Sequence, residues 1–333
     1  MSIGSVVRPA RSLPMTACVA VAVGGALAVA AAGCGSTSPS GASNTATTAA
    51  GGSSGAFPVS VRGPGDATVL ARAPRRIVSL SPTSTEDLFA IGAGGQVVAV
   101  DDESDYPKNA PRTKLSGFQP NVEAIANYRP DLVVISDESP RSLAPALRAL
   151  HIPVLIGPAA RSLTQAYEQI EQLGEATGHV AQARALVGGM QSRIAAGVRA
   201  AEGRGHGLGV YDEISQEYYA AASSTPIGQL FTLFGLHNIA DRAPDPHGLG
   251  YPQLSDEYIV SSNPSIVFLT DTLCCNQTAA SVAGRPGWSH MTAVRKHTIV
   301  ALDEDIASRW GPRTASLAEE IAHAIQRAHA AGV

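Results

Sequence analysis

The chain has 333 residues, 44% hydrophobic and 16% charged, which is enough apolar material for two ordinary cores. A formal net charge of -4, with no run of Lys or Arg after the N-terminal region, leaves no electrostatic footprint for nucleic acid. Of the four cysteines, Cys18 and Cys34 lie in an apolar leader and only Cys274 and Cys275 in the body, which excludes a disulfide framework.

Residues 1–34 read as a secretory signal. Arg8 and Arg11 form a short basic start, and Leu13 to Gly33 is almost wholly Ala, Val, Gly and Leu. An uncleaved membrane anchor is the alternative, but the stretch is short, weakly hydrophobic and ends in Ala31-Ala32-Gly33-Cys34. Small residues immediately before a Cys resemble a bacterial lipobox, with Ala31 where Leu is usual. The resemblance implies a lipidated Cys34 that anchors the protein on the outer face of a membrane without spanning it. Residues 35–56 are Ser, Thr, Gly and Ala with almost nothing to bury, and are expected to form a disordered tether.

From Arg75 the pattern changes to short apolar runs separated by helical stretches. RIVSL, QVVAV, LVVI, VLIG, GLGVY, SIVFLT and TIVAL lack the alternation of half-exposed strands, so they predict strands buried on both faces of parallel sheets. Amphipathic segments at Thr83–Ile91, Asn121–Tyr128, Ser142–Leu150 and Leu163–Thr177 give the βαβ alternation of an α/β protein. The series is interrupted once. Residues His179 to Ala201 place Ala183, Leu186, Val187, Met190, Ile194 and Val198 at three- and four-residue spacing without Pro, a helix longer than one sheet crossing. The pattern therefore predicts two α/β halves, an N-terminal lobe over 57–178 and a C-terminal lobe over 205–333, joined by a linker helix over 179–204. A single large doubly wound sheet is the alternative.

Several short motifs follow in order. Arg76-Ile77-Val78-Ser79-Leu80-Ser81-Pro82 leads into Thr85-Glu86, where Ser81, Ser84 and Thr85 serve equally well as helix caps. Ser104-Asp105-Tyr106-Pro107, Asn121-Val122-Glu123-Ala124-Ile125 and Arg129-Pro130-Asp131-Leu132-Val133-Val134 come next. The second half carries Tyr251-Pro252-Gln253-Leu254-Ser255-Asp256-Glu257, Asn263-Pro264-Ser265-Ile266-Val267-Phe268, Arg285-Pro286-Gly287-Trp288, and finally Asp305, Arg309, Pro312 and Arg313. From Arg75 to about Ala322 this order resembles the Fe/cobalamin periplasmic-binding family, and within it the cobalamin-binding members. The resemblance implies the class III periplasmic-binding-protein fold, two Rossmann-like lobes joined by a single long helix. It also implies a substrate-binding component of an ABC importer that captures a corrinoid or ferric siderophore between its lobes and delivers it to a permease and its ATPase.

Ligands of α/β lobes lie at the carboxyl ends of the strands. The loops expected there carry Tyr106, Phe118, Tyr211, Tyr218, Tyr219, Tyr251 and Trp310, which suits a large planar or greasy ligand. Asp305 and Arg309 are candidates for fixing its orientation. By the resemblance, Tyr251 and Asp305 align with corrinoid-contacting positions, whereas Glu103 stands where relatives carry a further Tyr and Phe118 where Trp is usual. The same resemblance casts Glu123 and Glu257, one on each lobe, as the carboxylates that meet Arg residues of the permease.

Cys274 and Cys275 read as two reduced thiols, with a vicinal disulfide as the oxidised alternative and a metal site disfavoured because no His lies at ligand spacing. The nine His residues show no clustering, so neither metal nor cofactor is expected. No Gly-x-Ser-x-Gly elbow or metalloprotease helix supports a secreted hydrolase. A lipoprotein that keeps the fold as a scaffold or adhesin is the remaining alternative to transport, and a monomer is expected in either case.

Overall fold

The computed structural model describes residues 57–64 and 67–333; the leader, Cys34 and the tether lie outside the described residues. A short antiparallel hairpin of β1 (Val59–Val61) and β2 (Thr68–Leu70) opens the body. The first sheet is built from β3 (Ile77–Leu80), β4 (Val97–Asp101), β5 (Arg112–Leu115), β6 (Leu132–Ser136) and β7 (Val154–Gly157). All five are parallel, in the order β5-β4-β3-β6-β7. Between them run α1 (Pro82–Ala90), α2 (Val122–Asn127) and α3 (Leu143–Ala149), and α4 (Leu163–Thr177) closes the lobe.

The chain then passes into α5 (Val180–Ala200), whose 21 residues make a rod of about 31 Å. The second lobe contains β8 (Gly209–Glu213), α6 (Pro226–Leu233), β9 (His237–Asn238), α7 (Asp256–Ser262), β10 (Ile266–Leu269), α8 (Ala279–Ala283), α9 (Thr292–Arg295), β11 (Ile299–Ala301), α10 (Glu304–Ser308) and α11 (Thr314–Ala330). Its four strands are parallel in the order β11-β10-β8-β9. All seven strands predicted from uninterrupted apolar runs form. β5 was not foreseen, because its sequence, Arg112-Thr113-Lys114-Leu115, buries only its last residue at the sheet edge.

The central strands β3, β6 and β10 carry side chains that are buried on both faces, or nearly so, as the absence of alternation requires. Helix starts follow from local chemistry. Ser81 caps α1 by accepting from the Ser84 amide, and Pro82 occupies the first helical turn, where its missing N–H costs nothing. Asn121, Ser162, Thr225 and Ser255 cap α2, α4, α6 and α7 in the same way.

Helix α5 packs on α4 in the first lobe and on α11 in the second. Further ties join the lobes. The Gln229 side chain accepts from the Leu163 amide and donates to the Arg161 carbonyl, both at 3.2 Å, and Tyr167 packs against the cores of both lobes. Arg193 reaches from α5 to Ser316 and Glu319 at 3.0 Å.

The contact of α4 with α5 is close because Gly174 has no side chain: a Cβ there would stand 2.5 Å from the Ala183 Cβ. Ala at a helical Gly gains about 1 kcal/mol of propensity, whereas overpacking costs about 1–3 kcal/mol. With Ala183 held on the backbone of a second helix, the clash wins. Gly174→Ala is expected to lower the thermal midpoint, and Ala183→Gly in the same chain to recover part of the loss, as a double-mutant cycle of melting curves would show.

Candidate functional site

The parallel strands of both sheets run so that their carboxyl ends carry the loops holding most of the predicted site residues. On the first lobe Tyr106 and Phe118 are exposed, and on the second Tyr219 and Tyr251, each presenting 40% of its surface or more. Leu249 and Leu273 add exposed apolar surface on the second lobe. These are large side chains that the local core leaves uncovered, which marks a binding surface more strongly than composition does.

Tyr211, expected among the ligand contacts, is instead a core residue with no exposed surface. As the third residue of β8 it points to the same sheet face as Glu213, donates its hydroxyl to Glu213 Oε2 at 3.2 Å, and meets Trp288 edge-on at 6.3 Å. Burial first, and then the Glu213 charge, push its phenol far above the ordinary tyrosine range. Tyr218 stacks on Trp288 at 6.0 Å, and the Arg285 guanidinium lies over both rings at 5.2 and 4.7 Å. Trp310 is partly buried against the core of the second lobe.

Arg309 is the second correction. It was expected to be available to orient a ligand, but its side chain is only 12% exposed and is held by protein carboxylates. Arg309 donates to Asp105 Oδ1 at 2.8 Å and to the Glu103 carbonyl at 3.3 Å, pairs with Asp305 at 2.8 Å, and reaches Glu86 at 3.4 Å. Arg313 forks onto Glu86 at 2.8 and 2.6 Å and lies 4.5 Å above the Tyr106 ring. Burial opposes ionisation of Asp105, but the hydrogen bond and charge of Arg309 outweigh it and hold that carboxyl below its usual range. Asp305 is half-buried beside this network. Beside the network, Glu86, Phe89, Tyr106, Pro107, Arg193 and Pro312 help to line an open groove of about 500 Å³.

The strand ends of the second lobe carry a cluster that the sequence reading missed. Glu213 takes a two-point ion pair from Arg285, both contacts at 2.6 Å. Next to it stand Asp212 and Asp271, both fully buried, with no hydrogen-bond partner on any carboxylate oxygen. Burial, the Asp271 charge and Glu213 drive Asp212 well above the usual carboxylate range, and burial followed by Glu213 raises Asp271 to about 7. The one guanidinium is committed to Glu213, so the two unpaired carboxyls beside it are biased toward their neutral, protonated forms. The signal available in the sequence was the run Tyr211-Asp212-Glu213, charges at the end of an otherwise apolar strand. In the sequence Glu86 shows only as part of a helix-opening motif.

Cys274 and Cys275 are free thiols on the loop after β10, with Cys274 exposed. Burial, then its hydrogen bond with Cys275 and the nearby Glu304, push the Cys274 thiol up to about 12. The Glu304 carboxylate also accepts from the Leu273 and Cys274 amides at 2.6 and 3.0 Å. Glu123 and Glu257 are exposed in the first turns of α2 and α7, where the helix dipole favours a carboxylate. Among the described residues no three His, Cys, Asp or Glu side chains converge as a metal site, and no helix is long and apolar enough to cross a membrane.

Two parallel α/β lobes joined by one helix, with aromatic surface on both facing loop sets, define a substrate-binding protein of the ABC-importer class. The chain belongs to the periplasmic binding protein family, whose pattern it matches over residues 77–306. It is 31% identical over 278 residues to an ABC transporter substrate-binding lipoprotein of Bacillus subtilis, covering 81% of this chain and 86% of that one. It is 32% identical over 248 residues to a cobalamin-binding protein of Halobacterium salinarum, covering 72% of this chain and 66% of that protein. Among solved structures, the apo heme-binding protein of Roseiflexus aligns with a TM-score of 0.65 at 25% identity, covering 76% of this chain and 98% of the other. The vitamin B12-binding protein of Vibrio cholerae aligns with a TM-score of 0.62 at 24% identity, over 77% and 98%. The last likeness is one of fold, the class III arrangement.

The acid cluster makes stability depend on pH. Because the folded pKa of Asp271 lies above its unfolded value near 3.9, the native state holds a proton that the unfolded chain releases. The stabilisation is therefore complete at low pH and is lost as pH rises from about 4 through about 7. Asp271→Asn is expected to raise the urea midpoint more at pH 8 than at pH 5, whereas an equal gain at both pH values would show that Asp271 does not titrate in this window.

Proposed function

We propose that this protein captures a corrinoid of the cobalamin type between its lobes and delivers it to an ABC permease and its ATPase. The observation that carries the reading is the exposure of large aromatic side chains on both lobes, Tyr106 and Phe118 on the first and Tyr219 and Tyr251 on the second, with Arg309 and Arg313 already engaged by protein carboxylates. Such a cleft offers wide planar contact, and its two guanidinium groups are not directed at an anionic ligand. A ferric siderophore that carries several negative charges would have to compete with Glu86, Asp105 and Asp305 for them. The cobalamin-binding relative at 32% identity and a vitamin B12-binding relative of Pectobacterium carotovorum at 28% support the same ligand class.

In this reading Asp305 and Tyr251 contact the corrinoid, with Tyr106 and Phe118 closing on its other face. Glu123 and Glu257 dock on the permease, one per lobe, where a pair of exposed charges gives register and steering. Lipidation of Cys34 holds a monomer at the extracytoplasmic face, and the protein acts by binding, without catalysis.

Titration of the purified body with cyanocobalamin, cobinamide, hemin and ferric siderophores, followed by quenching of Tyr and Trp fluorescence, tests the ligand. Saturation by corrinoids alone is expected, and Tyr251→Ala should weaken binding by about tenfold, the worth of one aromatic contact. Saturation by siderophores or hemin alone would overturn the ligand class, and no saturation by any of them would favour the scaffold reading. For docking, Glu123→Ala combined with Glu257→Ala should leave ligand affinity unchanged and reduce uptake in cells that depend on this importer. Unimpaired uptake would remove both residues from the interface.

A further inference from the structure

We propose that Glu86 is a positioning residue that sets the spacing of the two lobes, and through it the width of the cleft. Glu86 sits on α1 of the first lobe with its side chain 1% exposed. Among the described residues every side-chain hydrogen bond it makes is to the second lobe: two from Arg313 at 2.8 and 2.6 Å and one from Arg309 at 3.4 Å. A buried carboxylate that its own lobe leaves unpaired is costly, and the two-point fork from Arg313 satisfies it only at one lobe separation.

The neighbouring contacts repeat the same geometry. Arg309 carries the network outward to Asp105 on the first lobe while Asp305, four residues earlier, braces it from its own helix. The Arg313 guanidinium covers the Tyr106 ring at 4.5 Å, so an aromatic proposed to line the cleft is itself held by a residue of the opposite lobe. Gly311 lies so close to α1 that a Cβ on it would meet Asp87 Oδ1 at 3.1 Å. The segment from Arg309 to Arg313 is therefore seated on the first turns of α1 by charge and by shape.

The linker alone does not impose this. Helix α5 joins the lobes through one chain crossing, and its ends pass through residues of positive φ, Gly178 at 81° and Glu202 and Gly203 at 50° and 71°. Those positions are compatible with a hinge. The Gln229 hydrogen bonds and the packing of Tyr167 tie the lobes near the start of α4, and the ion network adds an attachment on a different element, α1, where it restrains the rotation that those ties leave open. Releasing Glu86 would let the aromatic faces separate, so bound ligand would leave faster while diffusional entry changed little.

The test reads lobe separation directly. Keto-amino-acid spin labels placed at the exposed positions Arg141 and Arg295, one per lobe, leave the native thiols untouched. Double electron–electron resonance on the full chain is expected to give one narrow distance distribution for the wild type, and a broadened or shifted one for Glu86→Gln. Arg313→Gln removes the same pair from the other side and should reproduce the effect, which keeps the test decisive should one variant fail to fold. With the ligand class proposed above, dissociation of cyanocobalamin should be about tenfold faster in either variant, with association within a factor of about two of the wild type. An unchanged distance distribution in both variants would overturn the inference. The distance measurement needs no ligand, so failure of the wild type to bind a corrinoid would count against the proposed function and leave this inference standing on its own result.

Discussion

The chain crosses between its two sheets once, through α5, and the geometry of the cleft depends on how that single crossing is restrained. A lone helix fixes the distance between two bodies but leaves them free to rotate about its ends. Here α5 is packed on α4 on one side and α11 on the other, with Gly174 allowing the first of these contacts to close. Gln229, Tyr167 and the Glu86 network add restraints at other points. The lobes are therefore held together at several points, and each carries exposed planar side chains on its loops.

Charge is distributed in that cleft in an uneven way. At its base two guanidinium groups are matched by Glu86, Asp105 and Asp305, and the resulting network is nearly self-contained. Beneath the second lobe's loops, Arg285 pairs with Glu213 alone, and burial drives the neighbouring unpartnered Asp212 and Asp271 toward their protonated forms. Burial explains both patterns: a charge removed from water is retained only where a partner or a proton neutralises it. The basic groups Arg309 and Arg313 are thereby committed to the fold, while the aromatic side chains beside them stay exposed.

Much of this architecture was legible in the amino-acid order. Strands buried on both faces announce themselves as unbroken apolar runs, and the three- and four-residue spacing from Ala183 to Val198 marks a helix too long for a sheet crossing. Those signals are local, since each depends only on which faces of one element meet water. The location of Tyr106, Phe118 and Tyr251 on loops was also legible, because strand ends follow from the same periodicity, and all three are exposed there.

What escaped was every interaction that joins distant parts of the chain. Glu86 and Arg313 are separated by 227 positions, and nothing in either neighbourhood indicates that one is the other's partner. Tyr211 was assigned to the cleft because it stands near a strand end, yet strand alternation turned it inward onto Trp288, a contact 77 positions away by residue number. Arg309 was expected to face a ligand and is instead engaged by Asp105, Asp305 and Glu86. By itself the sequence determined the type, order and burial of the elements, since these follow from short-range hydrophobic pattern and capping. Only the tertiary structure decided which charges are paired, which are left to hold protons and which aromatic faces remain open, because those outcomes depend on side chains that the folded backbone brings together from opposite ends of the chain.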